Sequence, residues 1–481
     1  MKRLNKGSLD TLDAAINVPV YERPTTESAI VHFGIGGFHR SHQAYAFQRL
    51  IETDPGLYAA WTICGVCILP QDKQFVDKMK QQDLLYSLRV SASGMKEEIT
   101  VMNIITRLLF GPEDHEEIIE RISLETTRVV SFTITEGGYN IDGATGCFLS
   151  DHPDIQHDLD PANPPKTVFG YLARGLKKRK DRGAGRLILM SCDNIQENGA
   201  VLKMTLGSFL DMFDSSLKAY VEANTDFPNS MVDRITPVTG AADRTKLEED
   251  YGYRDECLVV CEPFFQWVIE KDQATALPPL ETAGVSRVED VRPYEKMKLG
   301  ILNGGHSLVG LLGKAMGYAY IYEAVNEGRI SALYELYNRY EVIPSLAPLE
   351  GVSYDAYAGK VKERFGNALI RDTSDRIISG STAKIPKFVL PVVNQRIAQG
   401  ENPVIGALIL ACWWDYLDRF IAAGNMEKIE DPSKEEWLQL FGENKADTLT
   451  AFLNKKDVFG DLAKQGRFCE TVKYYADLIR K

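Results

Sequence analysis

The chain has 481 residues, of which 44% are hydrophobic and 25% charged, a composition typical of a folded globular protein. A single hydrophobic core stops growing near roughly 250–300 residues, so two domains are expected. The 55 Lys and Arg residues against 67 Asp and Glu give a net charge of −12, which argues against a nucleic acid or an anionic membrane as the main partner.

The N-terminal stretch MKRLNKGSLDTLDAAINVPVYERP lacks the apolar core of a signal peptide, and no apolar run reaches the roughly 18–20 residues of a membrane span. We therefore expect a cytoplasmic protein whose eight cysteines are thiols. Two cysteine pairs could be metal ligands. However, Cys64 and Cys67 are predicted to point to opposite faces of one strand, and Cys257 and Cys261 would lie roughly 13 Å apart along another. No metal site is predicted.

The first half of the chain alternates strand-like and helix-like segments. Strands are predicted in AIVHFGIGG, WTICGVCIL, RVVSFTITEGG and RLILMSCDN, and helices in HRSHQAYAFQRLIET and QDKQFVDKMKQQD. The segment CLVVCEPFFQWVIE is predicted to be a late strand of the same domain. This alternation predicts an α/β domain with a parallel sheet covered by helices.

From about residue 290 the predicted elements are nearly all helices. They include KLGILNGGHSLVGLLGKAMGYAYIYEAV, ISALYELYNRYEVIP, PVIGALILACWWDYLDRFIAAG and KADTLTAFLNKKDVF. The predicted domains are therefore 1–288, of α/β type, and 289–481, mostly α-helical. The aromatic stretch ACWWDYLDRF is predicted to be helix core, with an oligomer interface as the alternative.

A glycine-rich turn follows the first strand directly and opens a helix. It consists of Gly34, Ile35, Gly36, Gly37 and Phe38. In a dinucleotide-binding fold the first glycine permits a tight turn and the second lets the pyrophosphate approach the backbone. The helix N-terminus then offers N–H groups to the phosphates. Because His39 replaces the third glycine of G-x-G-x-x-G, a purely structural turn is the alternative.

Asp72 lies just beyond the second predicted strand. An acidic side chain there can hydrogen-bond the adenosine ribose hydroxyls and repel a 2′-phosphate, which favours NAD over NADP. The alternative is that Asp72 only complements the dipole of the helix that follows.

The stretch KMKLGILNGGHS places Lys298, Asn303 and His306 on a predicted apolar helix. At about 100° per residue they fall within an arc of about 140°. A lysine near apolar surface has its charged form disfavoured and suits a general base. An asparagine amide can donate to a developing alkoxide, and a histidine can bind a substrate hydroxyl. The alternative is a solvated polar stripe.

Six motifs in this order resemble the polyol-specific long-chain dehydrogenases: FGIGGFHRSHQA, TITEGGY, MSCDNIQENG, MVDRITPVT, CEPFFQWVIE and KMKLGILNGGHS. The likeness covers most of the chain and is greatest to the mannitol-oxidising members. It implies a Rossmann-type NAD-binding domain, a helical substrate domain, an active site in the cleft between the two and a metal-independent reaction.

The resemblance also implies residue roles. Lys298 would be the general acid/base. Asn194 and Asn303 would stabilise the substrate oxygen, and His306 would orient the substrate.

Four further residues match family positions near the substrate. Asp233 matches a polar residue close to the substrate hydroxyls, and Arg376 and Lys384 match basic substrate-binding positions. Glu136 matches an acidic residue in the proton route of the lysine.

The implied reaction is the reversible oxidation of D-mannitol to D-fructose. Two alternatives keep the chemistry: reduction of a sugar acid such as fructuronate or tagaturonate, since Arg376 and Lys384 could pair with a carboxylate, and oxidation of D-arabinitol. A non-catalytic NAD(H) sensor is the alternative from another class, although it would not need the lysine, asparagines and histidine.

Overall fold

The computed structural model describes residues 2–24, 27–92, 94–142, 145–271 and 276–481. The chain divides into two compact units, Met1–Arg292 and Pro293–Lys481. We keep the domain boundary at residue 288 as a prediction.

Six parallel strands form the main sheet of the first unit. In chain order they are β1 (Ile30–Phe33), β2 (Ile63–Cys67), β3 (Ile105–Phe110), β4 (Val129–Phe132), β5 (Leu187–Ser191) and β6 (Thr225–Asp226). Their spatial order is β3-β2-β1-β4-β5-β6, and every neighbouring pair is parallel. This order defines a Rossmann fold, so the predicted Rossmann-type architecture is confirmed.

Helices connect these strands and cover the sheet. The α-helices of the first unit are Gly37–Ser41, Gln43–Thr53, Pro55–Tyr58, Lys73–Gln81, Gly111–Ser123, Pro153–Asp158, Val168–Arg182, Asn198–Phe213, Ser215–Asn224 and Ala241–Tyr251. Its 3-10 helices are Lys6–Thr11, Pro70–Asp72, Glu136–Tyr139 and Leu280–Ala283.

The strands of the main sheet are buried on both faces, as expected for a parallel sheet. Ile30 and Ile63 pack into the core on one face, while Val31, Phe33 and Val66 pack into the core on the other. Because successive side chains of a strand point to opposite faces, each of these apolar strands contributes side chains to both hydrophobic cores.

Three smaller sheets complete the first unit. They are Lys2–Arg3 with Tyr253–Arg254; Val259–Cys261, Tyr86–Val90, Glu98–Met102 and Ile16–Asn17; and Ser230–Asp233, Gln266–Glu270 and Ser286–Val288. The prediction that CLVVCEPFFQWVIE is one strand is therefore wrong, because it forms two strands in different sheets. Pro263 lies between them, and a proline has no N–H to continue a ladder.

The second unit is helical, as predicted. Its α-helices are Arg292–Met297, Gly305–Ala315, Ile321–Asn326, Gly328–Tyr337, Tyr354–Phe365, Ser374–Ile378, Ser381–Phe388, Leu390–Ala398, Val404–Ala422, Lys434–Glu443, Thr448–Leu453, Lys456–Phe459 and Gly466–Ile479. Two π-helices, Lys298–Gly304 and Asn338–Val342, and three 3-10 helices, Ile343–Ser345, Met426–Lys428 and Leu462–Lys464, complete it. In the described part of the chain, no helix has the length and apolarity needed to cross a membrane.

The aromatic stretch of helix Val404–Ala422 lies in the core of the second unit. Trp413 and Trp414 are both buried, and the Trp413 ring packs edge-on against Trp437 and Phe452 at centroid distances of 5.5 and 5.0 Å. The burial of both rings accounts for this stretch without an oligomer interface.

A buried carboxylate holds the N-terminus of the same helix. Glu341 is 4% exposed, and its two oxygens accept hydrogen bonds from the backbone N–H groups of Ile405 (2.6 Å) and Gly406 (2.9 Å). Burial outweighs these hydrogen bonds and raises the pKa of Glu341 to about 7. The folded protein therefore retains a proton here in a pH range where an unfolded glutamate has lost it.

This proton makes a pH-dependent contribution to stability that Glu341→Gln should remove. Because the folded pKa lies above the ordinary glutamate value, the free energy of unfolding of the wild type should fall as the pH rises from 5 to 8, by up to about 3 kcal/mol relative to the variant. Urea unfolding followed by tryptophan fluorescence at several pH values measures this difference. Parallel pH dependences for the two proteins would contradict the assignment.

Candidate active site

The glycine turn after β1 depends on a very close backbone approach. Gly34 has a φ of +93°, and a Cβ atom added to it would lie 2.0 Å from the carbonyl oxygen of Thr133 at the end of β4. The Thr133 hydroxyl also donates to the Gly34 carbonyl oxygen at 2.6 Å. No side chain fits at Gly34, so the first glycine is required for the turn itself.

Gly36 has a different reason to lack a side chain. Its φ is −73°, which any residue tolerates, and no atom of the described residues beyond its chain neighbours lies within 4 Å of the position of an added Cβ. The space in front of this backbone is therefore open. Such a cradle, next to a helix N-terminus, fits a phosphate group.

A cavity of about 610 Å³ opens above this turn, within the first unit. Of the residues predicted to bind a cofactor, Gly34, Ile35, Gly36 and Asp72 line it. Ile35 contributes mainly its backbone, because its side chain is buried in the core.

Gly37 and Phe38 were also predicted to bind the cofactor, but they do not line this cavity. They begin helix Gly37–Ser41, and the Phe38 ring stacks on His42 at 4.9 Å. Their predicted role is thus supported only by their place at the helix N-terminus.

His39 occupies the place of the missing third glycine. Its buried ring stacks on the ring of His32 in β1 at a centroid distance of 3.5 Å. The two nitrogens of His32 are hydrogen-bonded to the hydroxyls of Ser131 (2.7 Å) and Thr133 (2.9 Å). Burial lowers the pKa of His32 to about 3 and that of His39 well below its usual value, so both rings are neutral near pH 7. An uncharged imidazole pair thus fills the helix–strand contact that a glycine usually permits.

Asp72 is the last residue of the 3-10 turn Pro70–Asp72 after β2 and borders the cavity. Partial burial raises its pKa. Its side chain makes no capping hydrogen bond to helix Lys73–Gln81, so any contribution of Asp72 to this helix comes from its charge. Sequence reasoning missed two larger neighbours in the same lining, Arg40 and Phe75, whose guanidinium and ring lie 4.8 Å apart.

Asn194 follows β5 at the carboxyl edge of the sheet and is exposed, whereas the preceding Asp193 is buried. The Asp193 carboxylate accepts hydrogen bonds from the backbone N–H groups of Ile134 (3.0 Å) and Thr135 (2.8 Å) and from the Tyr139 hydroxyl (2.8 Å). Burial raises the pKa of Asp193 above its usual value in spite of these bonds. Sequence reasoning named Asn194 and overlooked Asp193 beside it.

Glu136 lies on the 3-10 helix Glu136–Tyr139, where its side chain is exposed. Its charge is one of the weaker influences that raise the pKa of Asp193. The structure thus places Glu136 close to the segment that follows β5.

Asp233 ends strand Ser230–Asp233 and is buried. Asn198 holds the beginning of this strand: its amide oxygen accepts from Ser230 N–H at 2.9 Å, and its amide nitrogen donates to the Ser230 carbonyl at 2.8 Å. The Ser230 hydroxyl also donates to the carbonyl of Ser191, the last residue of β5, at 2.8 Å. These bonds position Asp233 relative to the main sheet.

In the second unit, Lys298 begins a π-helix that ends at Gly304. The predicted regular α-helix with an arc of 140° is therefore wrong for this segment. Because i→i+5 hydrogen bonds widen each turn, residues five positions apart lie closer to one face than they would on an α-helix. Lys298 and Asn303 are such a pair, and Lys298 is only 6% exposed.

Close contacts with helix Gly328–Tyr337 and its continuation, the π-helix Asn338–Val342, accompany this π-helix. Added Cβ atoms would lie 2.7 Å from the Val342 side chain at Gly300, 2.7 Å from the Tyr337 hydroxyl at Gly304, and 2.5 Å from the Tyr334 ring at Gly305. The three glycines thus allow the backbone next to Lys298 and Asn303 to pack directly on that helix.

The polar groups on the π-helix and the helix after it lie in apolar surroundings. The His306 ring stacks on Phe365 at 3.9 Å. The Asn303 side-chain oxygen is buried and has no hydrogen-bond partner among the described residues. An unpaired buried amide oxygen is costly, so this group is well suited to a bound ligand.

Arg376 and Lys384 lie close together on helices Ser374–Ile378 and Ser381–Phe388. Arg376 forms a two-pronged ion pair with Asp372. The Lys384 ammonium donates to the Ile377 carbonyl at 3.0 Å, and burial, followed by the charge of Arg376, lowers the pKa of Lys384. The two basic groups are therefore not equivalent, since Arg376 already has a carboxylate partner.

All eight cysteines are free thiols, and burial raises the pKa of Cys64, Cys67, Cys257 and Cys261 to about 12. Within the described ranges, no three His, Cys, Asp or Glu side chains form a group that could hold a metal ion. Independence of a metal remains a prediction.

A Rossmann-type domain with an open glycine turn, followed by a helical domain, defines a two-domain nucleotide-binding protein. The chain belongs to the mannitol dehydrogenase family: residues 28–282 match the family's Rossmann domain and residues 290–479 its C-terminal domain. The resemblance inferred from the six motifs is thus confirmed.

Curated relatives and solved structures agree with this assignment. A mannitol dehydrogenase of Saccharomyces cerevisiae is 38% identical over 89% of this chain and 85% of its own, and a mannitol 2-dehydrogenase of Emericella nidulans is 38% identical over 96% and 93%. The Pseudomonas fluorescens mannitol 2-dehydrogenase in complex with NAD and D-mannitol is 35% identical, with a TM-score of 0.88 over 100% of this chain and 97% of that one. A D-sorbitol dehydrogenase in substrate-free form is 31% identical, with a TM-score of 0.87 over 99% and 98%.

The collision at Gly34 gives a stability prediction. Gly34→Ala should lower the free energy of unfolding by at least twice as much as Gly183→Ala, because both residues have a positive φ but only Gly34 faces a backbone carbonyl. An added Cβ at Gly183 meets no atom of the described residues within 4 Å, so only the left-handed backbone costs energy there, about 1–2 kcal/mol. Urea unfolding of both variants measures the two effects, and equal losses would argue against the close approach to Thr133.

Proposed function

We propose that this protein oxidises D-mannitol reversibly to D-fructose with NAD as the acceptor. The observation that carries this proposal is its similarity, along the whole length, to a mannitol 2-dehydrogenase that binds NAD and D-mannitol. In this proposal, residues 1–288 bind the nucleotide and residues 289–481 supply the base.

The cavity above the glycine turn suits the nucleotide. The backbone at Gly34, Ile35 and Gly36 would hold the pyrophosphate, and Asp72 would bind the adenosine ribose hydroxyls and disfavour the 2′-phosphate of NADP. The N–H groups at Gly37 and Phe38 would add to the positive end of the helix. When bound, NAD accepts the hydride from the alcohol carbon.

Lys298 is proposed to take the proton of the substrate hydroxyl on its side-chain nitrogen and to return it in the reverse reaction. The amides of Asn194 and Asn303 would donate hydrogen bonds to the same oxygen as its charge changes. Lys298 and Asn303 lie closer to one face on this π-helix than they would on an α-helix, which supports joint action on one oxygen. The stacking of His306 on Phe365 holds its ring for contact with a second hydroxyl.

Asp233, Arg376 and Lys384 are proposed to bind the remaining hydroxyls. Glu136, which is exposed on its 3-10 helix, is proposed to pass the lysine proton to solvent.

The ion pair of Arg376 bears on the choice of substrate. Because Asp372 already engages the guanidinium fork, Arg376 is less suited to a substrate carboxylate than an unpaired arginine would be. This favours a neutral polyol over a sugar acid such as fructuronate or tagaturonate. D-sorbitol is the second candidate, because a D-sorbitol dehydrogenase has nearly the same TM-score.

Lys298→Ala tests the proposed chemistry. The variant should still bind NAD but should lose at least about 100-fold in the turnover number for mannitol-dependent NADH formation, because a positioned base contributes roughly 10²–10⁴-fold. Added primary amines should restore part of the rate. The absorbance of NADH at several amine concentrations measures both effects.

Lys296→Ala is the matched control, since Lys296 is an exposed lysine two residues away and should turn over mannitol like the wild type. Normal turnover by Lys298→Ala would end the lysine-base proposal. The same assay with D-sorbitol, D-arabinitol, mannonate and altronate identifies the substrate, and a higher kcat/KM for any of these than for mannitol would replace mannitol as the substrate.

Gly36→Ala tests the proposed cofactor site without a large cost in stability. Its φ suits alanine, so the thermal midpoint should stay near that of the wild type, whereas the added methyl group occupies the phosphate cradle and should raise the Kd for NAD at least about tenfold. Calorimetric titration measures the Kd. Gly185→Ala is the control, because Gly185 does not line the cavity and its added Cβ meets no atom of the described residues within 4 Å. Equal affinities of all three proteins would place the phosphates elsewhere.

A further inference from the structure

We propose that Asp193 is a positioning residue that fixes the Asn194 amide at the carboxyl edge of the sheet. This inference rests on the proposed function, because Asn194 has a catalytic role only there. The Asp193 carboxylate is buried and has no part in the mechanism proposed above.

The three hydrogen bonds that the Asp193 side chain accepts from described residues all come from one segment, the one that follows β4. Ile134 and Thr135 donate through their backbone N–H groups and Tyr139 donates through its hydroxyl. Asp193 itself belongs to the segment that follows β5. A single carboxylate, 8% exposed, therefore ties two neighbouring edge segments together.

The segment that follows β4 and donates to Asp193 has a strained backbone at Thr135. Thr135 has a φ of +62°, a backbone conformation that a β-branched residue rarely adopts and that is strained for it. The Asp193 oxygen accepts from this same residue at 2.8 Å. Hydrogen bonds to a charged group are among the stronger ones in proteins, so Asp193 can hold Thr135 in this conformation. Thr133, Ile134 and Thr135 line the cavity, and the tie thus connects the cavity wall to Asn194.

The backbone of Asp193 is held as well. Its carbonyl, which begins the peptide bond to Asn194, accepts from the Asn198 amide at 3.1 Å, and its N–H donates to the Ser191 hydroxyl at 3.3 Å. The same Asn198 amide nitrogen donates to the Ser230 carbonyl. With side chain and backbone both fixed, the start of the Asn194 residue has little freedom, and preorganised amides of this kind are what stabilises a developing oxyanion.

A double-mutant cycle of Asp193→Asn and Asn194→Ala tests this role. Asp193→Asn presents an amide N–H to groups that need an acceptor, so we expect kcat with mannitol to fall about 10–100-fold, as for a misplacement of about 1 Å. If Asp193 acts through Asn194, adding Asp193→Asn to Asn194→Ala should lower kcat less than threefold further. Full additivity, or a kcat of Asp193→Asn within twofold of the wild type, would overturn the proposal.

Two further measurements separate the possible failures. Hydrogen exchange at the Ile134 and Thr135 amides should become faster in Asp193→Asn, and unchanged protection would refute the tie even if no polyol is a substrate of the wild type. If Asp193→Asn does not fold, Tyr139→Phe replaces it in the cycle, since it removes one of the three donors. It should lower kcat a few-fold alone and not at all together with Asn194→Ala, and an equal loss in both backgrounds would contradict the proposal.

Discussion

The parallel pairing of six strands is the constraint on which the first unit depends. Because the strands run in one direction, the segments after β1, β2, β4 and β5 all leave the sheet at its carboxyl edge. Gly34, Asp72, Thr135 and Asn194 are distant in the chain and reach this edge for that reason. The close crossing of Gly34 and Thr133 then shapes the cavity floor, and the Asp193 carboxylate satisfies backbone N–H groups that such tight crossing would leave unpaired.

In the second unit, the main constraint is the burial of polar groups on the π-helix Lys298–Gly304. A π-helix turns less per residue than an α-helix, so residues five positions apart, such as Lys298 and Asn303, lie closer to one face. Gly304 and Gly305 let the same backbone pack on Tyr337 and Tyr334. The buried Asn303 side-chain oxygen has no hydrogen-bond partner among the described residues. Such an unpaired polar group lowers stability and is typical of sites where a bound ligand supplies the missing hydrogen bond.

A site residue could be predicted from the sequence where neighbouring residues in the chain are enough to show its role. The turn at Gly34 could be predicted because one glycine-rich stretch between a strand and a helix contains all that the turn needs. The position of Asp72 beside the cavity could be predicted because the end of the second strand meets the ligand crevice in folds of this kind. The buried position of Asp193 could not be predicted in this way. Its side chain accepts hydrogen bonds from Ile134, Thr135 and Tyr139, and nothing in the stretch MSCDN indicates that this distant segment lies beside it. The π-helix was also missed, since the spacing of apolar residues around Lys298 is compatible with an ordinary α-helix.

The sequence by itself determined the alternation of strands and helices in the first half and the helical second half, because periodicity and turn residues are properties of neighbouring residues. The resemblance of its six motifs to a known family indicated the Rossmann type and the family. Only the tertiary structure decided that CLVVCEPFFQWVIE divides into two sheets, that His39 stacks on His32 in place of a third glycine, and that Arg376 is already paired with Asp372. Each of these depends on which distant groups share a buried space. The free energy of burying a polar group is set by those partners, and no short stretch of sequence contains them.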